Sequence, residues 1–274
     1  MLCTLLDMPK SSYYESIREA EPSKREIDKQ KFRQDILDVY NDNNKRYGAP
    51  KIREVLKNKY PSLSINRVQR HMKVLGIKSI VYKKYRPHKS ESVYELGENL
   101  LNRNFSTTRP HEKWVADITY IHTVKDGWCY LASVLDLHLK KIVGYSFSKT
   151  MTKEIVLDAL NNALETHKPS ENLIIHSDRG SQYTCIEYRN KVEQELKFKL
   201  SYSRKGCPYD NAVIESFHSI LKKELVYTTT FLNYSHAKFE IFQYVEGFYN
   251  RKRIHSSINY MSPVQFEKSL KKIA

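Results

Sequence analysis

"KWVADITYIHT", residues 113–123, is the stretch on which the fold turns. Its Val, Ile, Thr, Tyr and Trp content reads as a β-strand, and an acid, Asp117, stands in its middle where strand propensity disfavours one. Two similar runs follow, "GWCYLASVLDLH" and "KKIVGYSFSK", separated by "VKDG" and by a very short link at Leu139–Lys140. Three such runs with tight connections predict an antiparallel meander. Beyond them the pattern alternates. A helix, "TKEIVLDALNNALETHK", is closed by Pro169, and "NLIIHSD" is a short buried strand. "CIEYRNKVEQEL" reads as a helix, "KFKLSYS" as a strand, and a last helix lies within "SRKGCPYDNAVIESFHSILKKEL", residues 203–225. A meander followed by alternating helix and strand implies an α/β domain, a mixed sheet with helices packed on it.

That last helix carries two stripes. Ile214, Phe217, Leu221 and Leu225 recur at spacings of three and four, as on a face packed against a core. Asn211, Glu215, His218 and Lys222 recur the same way on another face, with Glu215 and Lys222 nearly in register two turns apart. Three acids therefore occupy suggestive positions: Asp117 within a strand, Asp178 at the carboxyl end of "LIIHSD", and Glu215 on the helix. Ligands bind at the carboxyl ends of strands in open α/β sheets. Three converging carboxylates repel one another unless a cation lies between them, and Mg²⁺ takes such hard oxygen ligands. Each acid also has an ordinary reading: an edge-strand surface residue, a helix N-cap and a surface charge, respectively.

The N-terminal part reads as short helices. "REIDKQKFRQDILDVYNDN" offers Ile27, Phe32, Ile36 and Val39 as an inward face, and Gly48 and Pro50 break the pattern. "KIREVLKNKY" follows with Ile52, Val55 and Leu56. Ser64 is a good N-cap for "INRVQRHMKVLG", whose apolar face is Ile65, Val68, Met72 and Leu75. The opposite face holds Asn66, Arg70 and Lys73, with Arg67 and Gln69 flanking. Two helices joined by a turn, the second exposing Arg, Lys and Asn, form a helix-turn-helix pattern. Of the 274 residues, 46 are Lys or Arg and 31 Asp or Glu, a net charge of +15. The excess is localised: residues 51–90 hold twelve Lys/Arg against one acid, Glu54, whereas residues 1–50 are balanced at nine of each. A charge so concentrated points to nucleic acid as partner. No run of 18 apolar residues and no signal peptide speaks for a membrane. Cys3, Cys129, Cys185 and Cys207 form no CxxC pair, so neither a disulfide framework nor a zinc site is expected, and a reducing cytoplasm suits them.

The segments "KWVADITYI", "YLASVLDLHLKKIVGYS", "HSDRGSQY", "SYSRKGCPYDNAVIESFHSILKKEL" and "FYNRKRIHSSINYMSPVQF" resemble, in order, those of the second-frame (OrfB) proteins of the IS-three insertion-sequence family. "YGAPKIREVLKNKYPSLSINRVQRHMKVLGI" resembles the helix-turn-helix of the same proteins. These are DDE transposases with a ribonuclease H-like, retroviral-integrase-type catalytic domain, preceded by a small all-α domain. The resemblance implies a helical N-terminal region over 1–87 with the helix-turn-helix at about 45–80, a linker with one short helix over 88–111, a catalytic core over 112–227 and a helical extension over 228–274. It makes Asp117, Asp178 and Glu215 the catalytic, metal-binding triad, although the gap between the second and third acids is thirty-six residues rather than the usual thirty-five. Two Mg²⁺ ions, replaceable by Mn²⁺, are implied, with Asp117 bridging both. Lys222 is the implied contact to DNA near the scissile phosphate. Arg179, Arg204 and Lys205, together with Asn66, Arg67, Arg70 and Lys73, are the further candidate DNA contacts.

The implied partners are double-stranded DNA, as terminal inverted repeats and target, a second copy of the chain on that DNA, and a first-frame (OrfA) protein or fused segment. The implied setting is the bacterial cytoplasm, at the nucleoid. Two competing readings are a catalytically silent, transposase-derived DNA-binding regulator and a structure-selective nuclease. The first would have lost an acid; the second would need neither the N-terminal domain nor the "NRKRIHSSINYMSP" tail.

Overall fold

The computed structural model describes Pro9 and residues 23–80, 97–169, 172–204 and 207–271. The chain divides into two compact units, residues 1–80 and 81–274. In the first, α1 (Lys24–Asp42), α2 (Ala49–Leu56) and α3 (Ile65–Val74) pack together. Ser23 caps α1, its hydroxyl accepting from the Glu26 amide, and Ser64 caps α3 by accepting from Arg67. Phe32, Ile36 and Tyr40 form one i, i+4 line on α1 and meet Ile52 and Leu56 of α2 and Val68 and Met72 of α3. The inward faces expected from periodicity are thus corrected at five positions. Ile27, Val55 and Ile65 are exposed, and Val39 and Leu75 are only partly covered. Tyr40 takes the place expected of Val39 because its ring continues the line of Phe32 and Ile36, while its hydroxyl reaches out to donate to the Lys78 carbonyl at 2.8 Å. Most of the basic tail expected after α3, residues 81–89, lies outside the described residues.

The second unit is built on a five-stranded sheet in the order β3-β2-β1-β4-β5. β1 (Lys113–Thr123), β2 (Gly127–Asp136) and β3 (Ile142–Ser148) form the expected meander. β4 (Ile174–Ser177) runs parallel to β1, and β5 (Lys199–Tyr202) parallel to β4. Gly127, with φ of 70°, closes the β1–β2 turn in a conformation costly for any other residue. α4 (Lys153–Thr166) covers one sheet face, burying Ile155, Val156, Ala159, Leu160 and Ala163 against Trp114, Ala132 and Val134. It sits very close to β3: a Cβ at Gly144 would come within 2.3 Å of the Ala159 carbonyl oxygen. The expected helix over residues 185–196 is present as α5 (Ile186–Arg189) running directly into wider π-helical turns over Asn190–Glu195.

The opposite face is covered by α6 (Ala212–Leu221), whose Ile214, Phe217 and Leu221 are buried as the apolar stripe requires. π-helical turns at Lys222–Val226 prolong it, burying Leu225. Two further helices, α7 (Tyr234–Phe242) and α8 (Pro263–Lys271), belong to the C-terminal region. Glu224, buried, accepts from Tyr244 at 2.8 Å and from Arg253 at 3.0–3.2 Å, which binds the tail to the end of α6. Both outer edges of the sheet are occupied. On β3, the Asn250 amide bonds both the N–H and the carbonyl of Ile142, Asn162 donates to the Tyr145 carbonyl, and the Tyr234 hydroxyl donates to that of Phe147. On β5, the Tyr202 amide donates to the Glu98 carbonyl, and the Ser201 hydroxyl accepts from the Leu101 amide. Residues 97–111 consist of bends and turns, and residues 88–96, the rest of the stretch in which a short helix is expected, lie outside the described ones.

Candidate active site

The parallel register of β1 and β4 places the first two acids. Ala116 stands opposite Ser177, the last residue of β4, so Asp117 and Asp178 are the next residues of two neighbouring strands. β1 continues beyond this point and β4 does not, which opens a notch at the carboxyl end of β4. Asp117 is half-buried, and one of its oxygens accepts from the Ile118 amide at 2.8 Å. Asp178 keeps one side open to solvent and accepts from the Gly180 amide at 2.9 Å, which bends the chain back over the notch. Desolvation of the Asp178 carboxyl, with the charge of Asp117 adding to it, pushes it up to about 6. Desolvation is the main cause, and carboxyls raised in this way concentrate at functional sites.

The polar stripe of α6 faces this notch. Asn211, buried, donates to the Ala116 carbonyl at 3.4 Å. His218, also buried, sets Nδ1 3.3 Å from an Asp117 oxygen and Nε2 3.3 Å from the Ser133 hydroxyl. Nδ1 thus lies within ion-pair distance of the carboxylate while Nε2 hydrogen-bonds the serine hydroxyl. Lys222 is half-buried; burial lowers its ammonium from the usual lysine value, and the negative charge of Asp117 opposes that shift. Asn211, His218 and Lys222 thus all address Ala116–Asp117 from one side of the helix. Three of the four stripe residues therefore turn inward.

Glu215 lies within that stripe and is exposed. Among the described residues no three His, Cys, Asp or Glu side chains are gathered into a closed metal cage. The structure therefore brings Asp117 and Asp178 together and puts Glu215 on the helix flanking them. Arg179 points its Nε at the Ser203 carbonyl at 2.9 Å, at the ends of β4 and β5. Arg204 is exposed beside the same ends, and Lys205 lies outside the described residues. Asn66, Arg67, Arg70 and Lys73 are exposed on α3, where the Arg67 guanidinium also stacks 4.7 Å from the centre of the Phe32 ring. His218, Asp210 and Arg103 went unassigned by sequence reasoning. For His218 the signal was its place in the polar stripe; for Asp210 and Arg103 the link spans more than a hundred positions and leaves no local trace.

Residues 107–208 match the integrase core domain family, residues 196–263 match a second integrase core domain family, and residues 26–85 match an HTH-like domain. The transposase for insertion sequence element IS904 of Lactococcus lactis is 39% identical over 249 residues, covering 90% of this chain and 97% of that protein. Transposase InsF for insertion sequence IS3A of Escherichia coli is 34% identical over 272 residues, covering 97% of this chain and 92% of its own length. Among solved structures, the catalytic core domain of HTLV-2 integrase in complex with magnesium is 18% identical, with a TM-score of 0.43 over 57% of this chain and 96% of its own.

Proposed function

The chain belongs to the IS-three family of insertion-sequence transposases, a DDE-type polynucleotidyl transferase with an integrase core and an HTH-like domain, and from that premise we propose that it binds the terminal repeats of its element, cuts one DNA strand there and joins it to a second site. The observation that carries this reading is the convergence of three residues of the polar stripe, Asn211, His218 and Lys222, on Ala116–Asp117, beside Asp178. In this reading Asp117, Asp178 and Glu215 are the catalytic triad and hold two divalent ions, Mg²⁺ or Mn²⁺. The donor set fits: carboxylate oxygens alone, two of them held at the cost of mutual repulsion that a cation removes. When bound, such ions activate a water or 3′-hydroxyl oxygen and stabilise the leaving oxygen.

The chain's own residues do the rest. His218 stands against one Asp117 oxygen and the Ile118 amide bonds the other, and between them they fix the carboxylate's orientation beside the notch. Glu215 completes the set from the exposed side of α6 as DNA closes over it. Lys222 reaches the phosphate beside the scissile bond, with Arg179, Arg204 and Lys205 around the same rim. Asn66, Arg67, Arg70 and Lys73 on α3 meet DNA in the major groove, as the exposed helix of a helix-turn-helix does. The boundaries at 87, 111 and 227 divide the chain into DNA-binding region, linker, core and extension. Assembly of two or more copies on DNA, cooperation with a first-frame protein or segment, and work at the nucleoid belong to the same reading. Among the described residues no helix is long and apolar enough to cross a membrane.

A second reading, a catalytically silent DNA-binding regulator, draws on the exposed position of Glu215 and the lack of a closed cage. One experiment separates the two. Calorimetry of Mn²⁺ with a short duplex present should show saturable binding that Asp178→Asn abolishes, together with metal-dependent nicking lost in the same variant. Binding unaffected by the substitution would leave the regulator as the better account.

A further inference from the structure

Asp210 is wholly buried, yet it takes no part in the acid notch. One of its oxygens accepts from Arg103 Nε at 2.8 Å and from an Arg204 terminal nitrogen at 3.0 Å. The other accepts from Asn99 at 2.8 Å, from the Arg204 amide at 3.0 Å and from Arg204 Nε at 2.9 Å. One guanidinium would neutralise this carboxylate; two leave the cluster with a charge of +1. The side chains of Arg103 and Arg204 are 49% and 48% exposed, so each is fastened at its inner edge and open at its outer one. Asp210 engages only Nε of Arg103, so both terminal nitrogens of that side chain lie beyond it.

Three further features accompany the cluster. Asn102 and Arg103 have φ of 38° and 60°, so two consecutive residues other than glycine adopt left-handed conformations, which persist where the surroundings impose them. Here the Asn99 side chain receives the Asn102 amide while Asp210 receives Arg103. Tyr209, 71% exposed, sits beside Arg103 with its ring centre 5.9 Å from the guanidinium. The chain neighbours of the cluster also touch the notch. Ser203, before Arg204, bonds its amide to the carbonyl of Ser177, next to Asp178; Asn211, after Asp210, bonds the carbonyl of Ala116, next to Asp117.

We propose that Arg103 and Arg204, fixed by Asp210, form a clamp for one backbone phosphate of the DNA strand that enters the acid notch, with Tyr209 lying against the adjoining nucleotide. Two forked guanidiniums on a rigid anchor suit a phosphodiester, because their terminal N–H groups are oriented before the ligand arrives. A polymer of phosphates also supplies the neighbouring aromatic base or sugar that an exposed tyrosine takes up. The clamp rests on the DNA-cutting reading above and adds a contact that needs no metal.

The test is a salt titration of binding by the full chain to a fluorescent duplex of arbitrary sequence, without divalent ions, followed by anisotropy. Arg103→Gln should weaken binding several-fold and lower the slope of log affinity against log salt by about 0.9, the loss of one phosphate contact. Arg103→Lys keeps the charge and should restore the slope while recovering affinity only in part. Tyr209→Ala, at an exposed ring, should weaken binding by about fivefold with the slope unchanged. A wild-type slope and affinity in both Arg103→Gln and Tyr209→Ala would overturn the clamp and leave Arg103 as a prop for Asp210. A wild-type chain that bound the duplex without salt dependence would overturn the DNA-cutting reading itself.

Discussion

At the scale of single residues, the site depends on groups that never touch a substrate. His218 is the clearest. Its ring is buried between a carboxylate on β1 and a hydroxyl on β2. His218→Ala should leave Asp117 free to turn, lowering Mn²⁺ affinity and nicking by about 10–100-fold, with DNA affinity unchanged in the absence of metal. Asp136 plays a different part. It is wholly buried and accepts from the His111 and Leu139 amides at 2.7 and 2.9 Å, the His138 amide at 2.8 Å and the Trp114 indole at 3.2 Å. Burial alone would raise its carboxyl, but the His111 ring and these amides outweigh it and hold it below the usual value. A carboxyl depressed in the folded state stabilises above the unfolded value of about 3.9 and loses that contribution as pH falls through the folded one. Asp136→Asn turns an N–H₂ group toward N–H donors and should cost about 3 kcal/mol. Denaturant melts should also show a shallower loss of stability below that pH than in the wild type.

At the scale of elements, β3 and α4 approach closely at Gly144. Gly144→Ala forces the two apart at the Ala159 carbonyl and should destabilise by about 1–3 kcal/mol, read from the denaturation midpoint. Elements were also the scale at which the sequence spoke most clearly. The meander, the short buried strand leading into Asp178 and the apolar seam of α6 were all legible, because strands alternate and a long helix repeats its seam over several turns. The inner faces of α1, α2 and α3 were less so. Short helices in a small bundle offer more apolar positions than the core can hold, so Ile27, Val55 and Ile65 remain outside while Tyr40 enters. The site was half legible. Asp117 and Asp178 follow from strand pattern and order, but the inward turn of Asn211, His218 and Lys222 depends on the rotation of α6 against the sheet. That rotation is set by long-range packing rather than by the helix's own residues.

At the scale of the whole molecule, charge and fold divide the work. Exposed Arg70 and Lys73 on α3 belong to the segment that carries most of the net positive charge. Replacing Arg70 with Ala should weaken binding to any duplex and lower the salt slope by about 0.9, and Lys73→Ala should do the same. Neither should alter Mn²⁺ binding; a change there would mean that the acids are not an independent site. The assembly proposed above would gather several copies along one stretch of DNA, where local concentration is high and open strand edges would invite sheets to zip together. Asn250, Asn162 and Tyr234 on one side, and Glu98 and Leu101 on the other, already occupy both outer strands. Copies can therefore be brought shoulder to shoulder without fusing into fibres, and their association is left to side chains and DNA, both of which can let go.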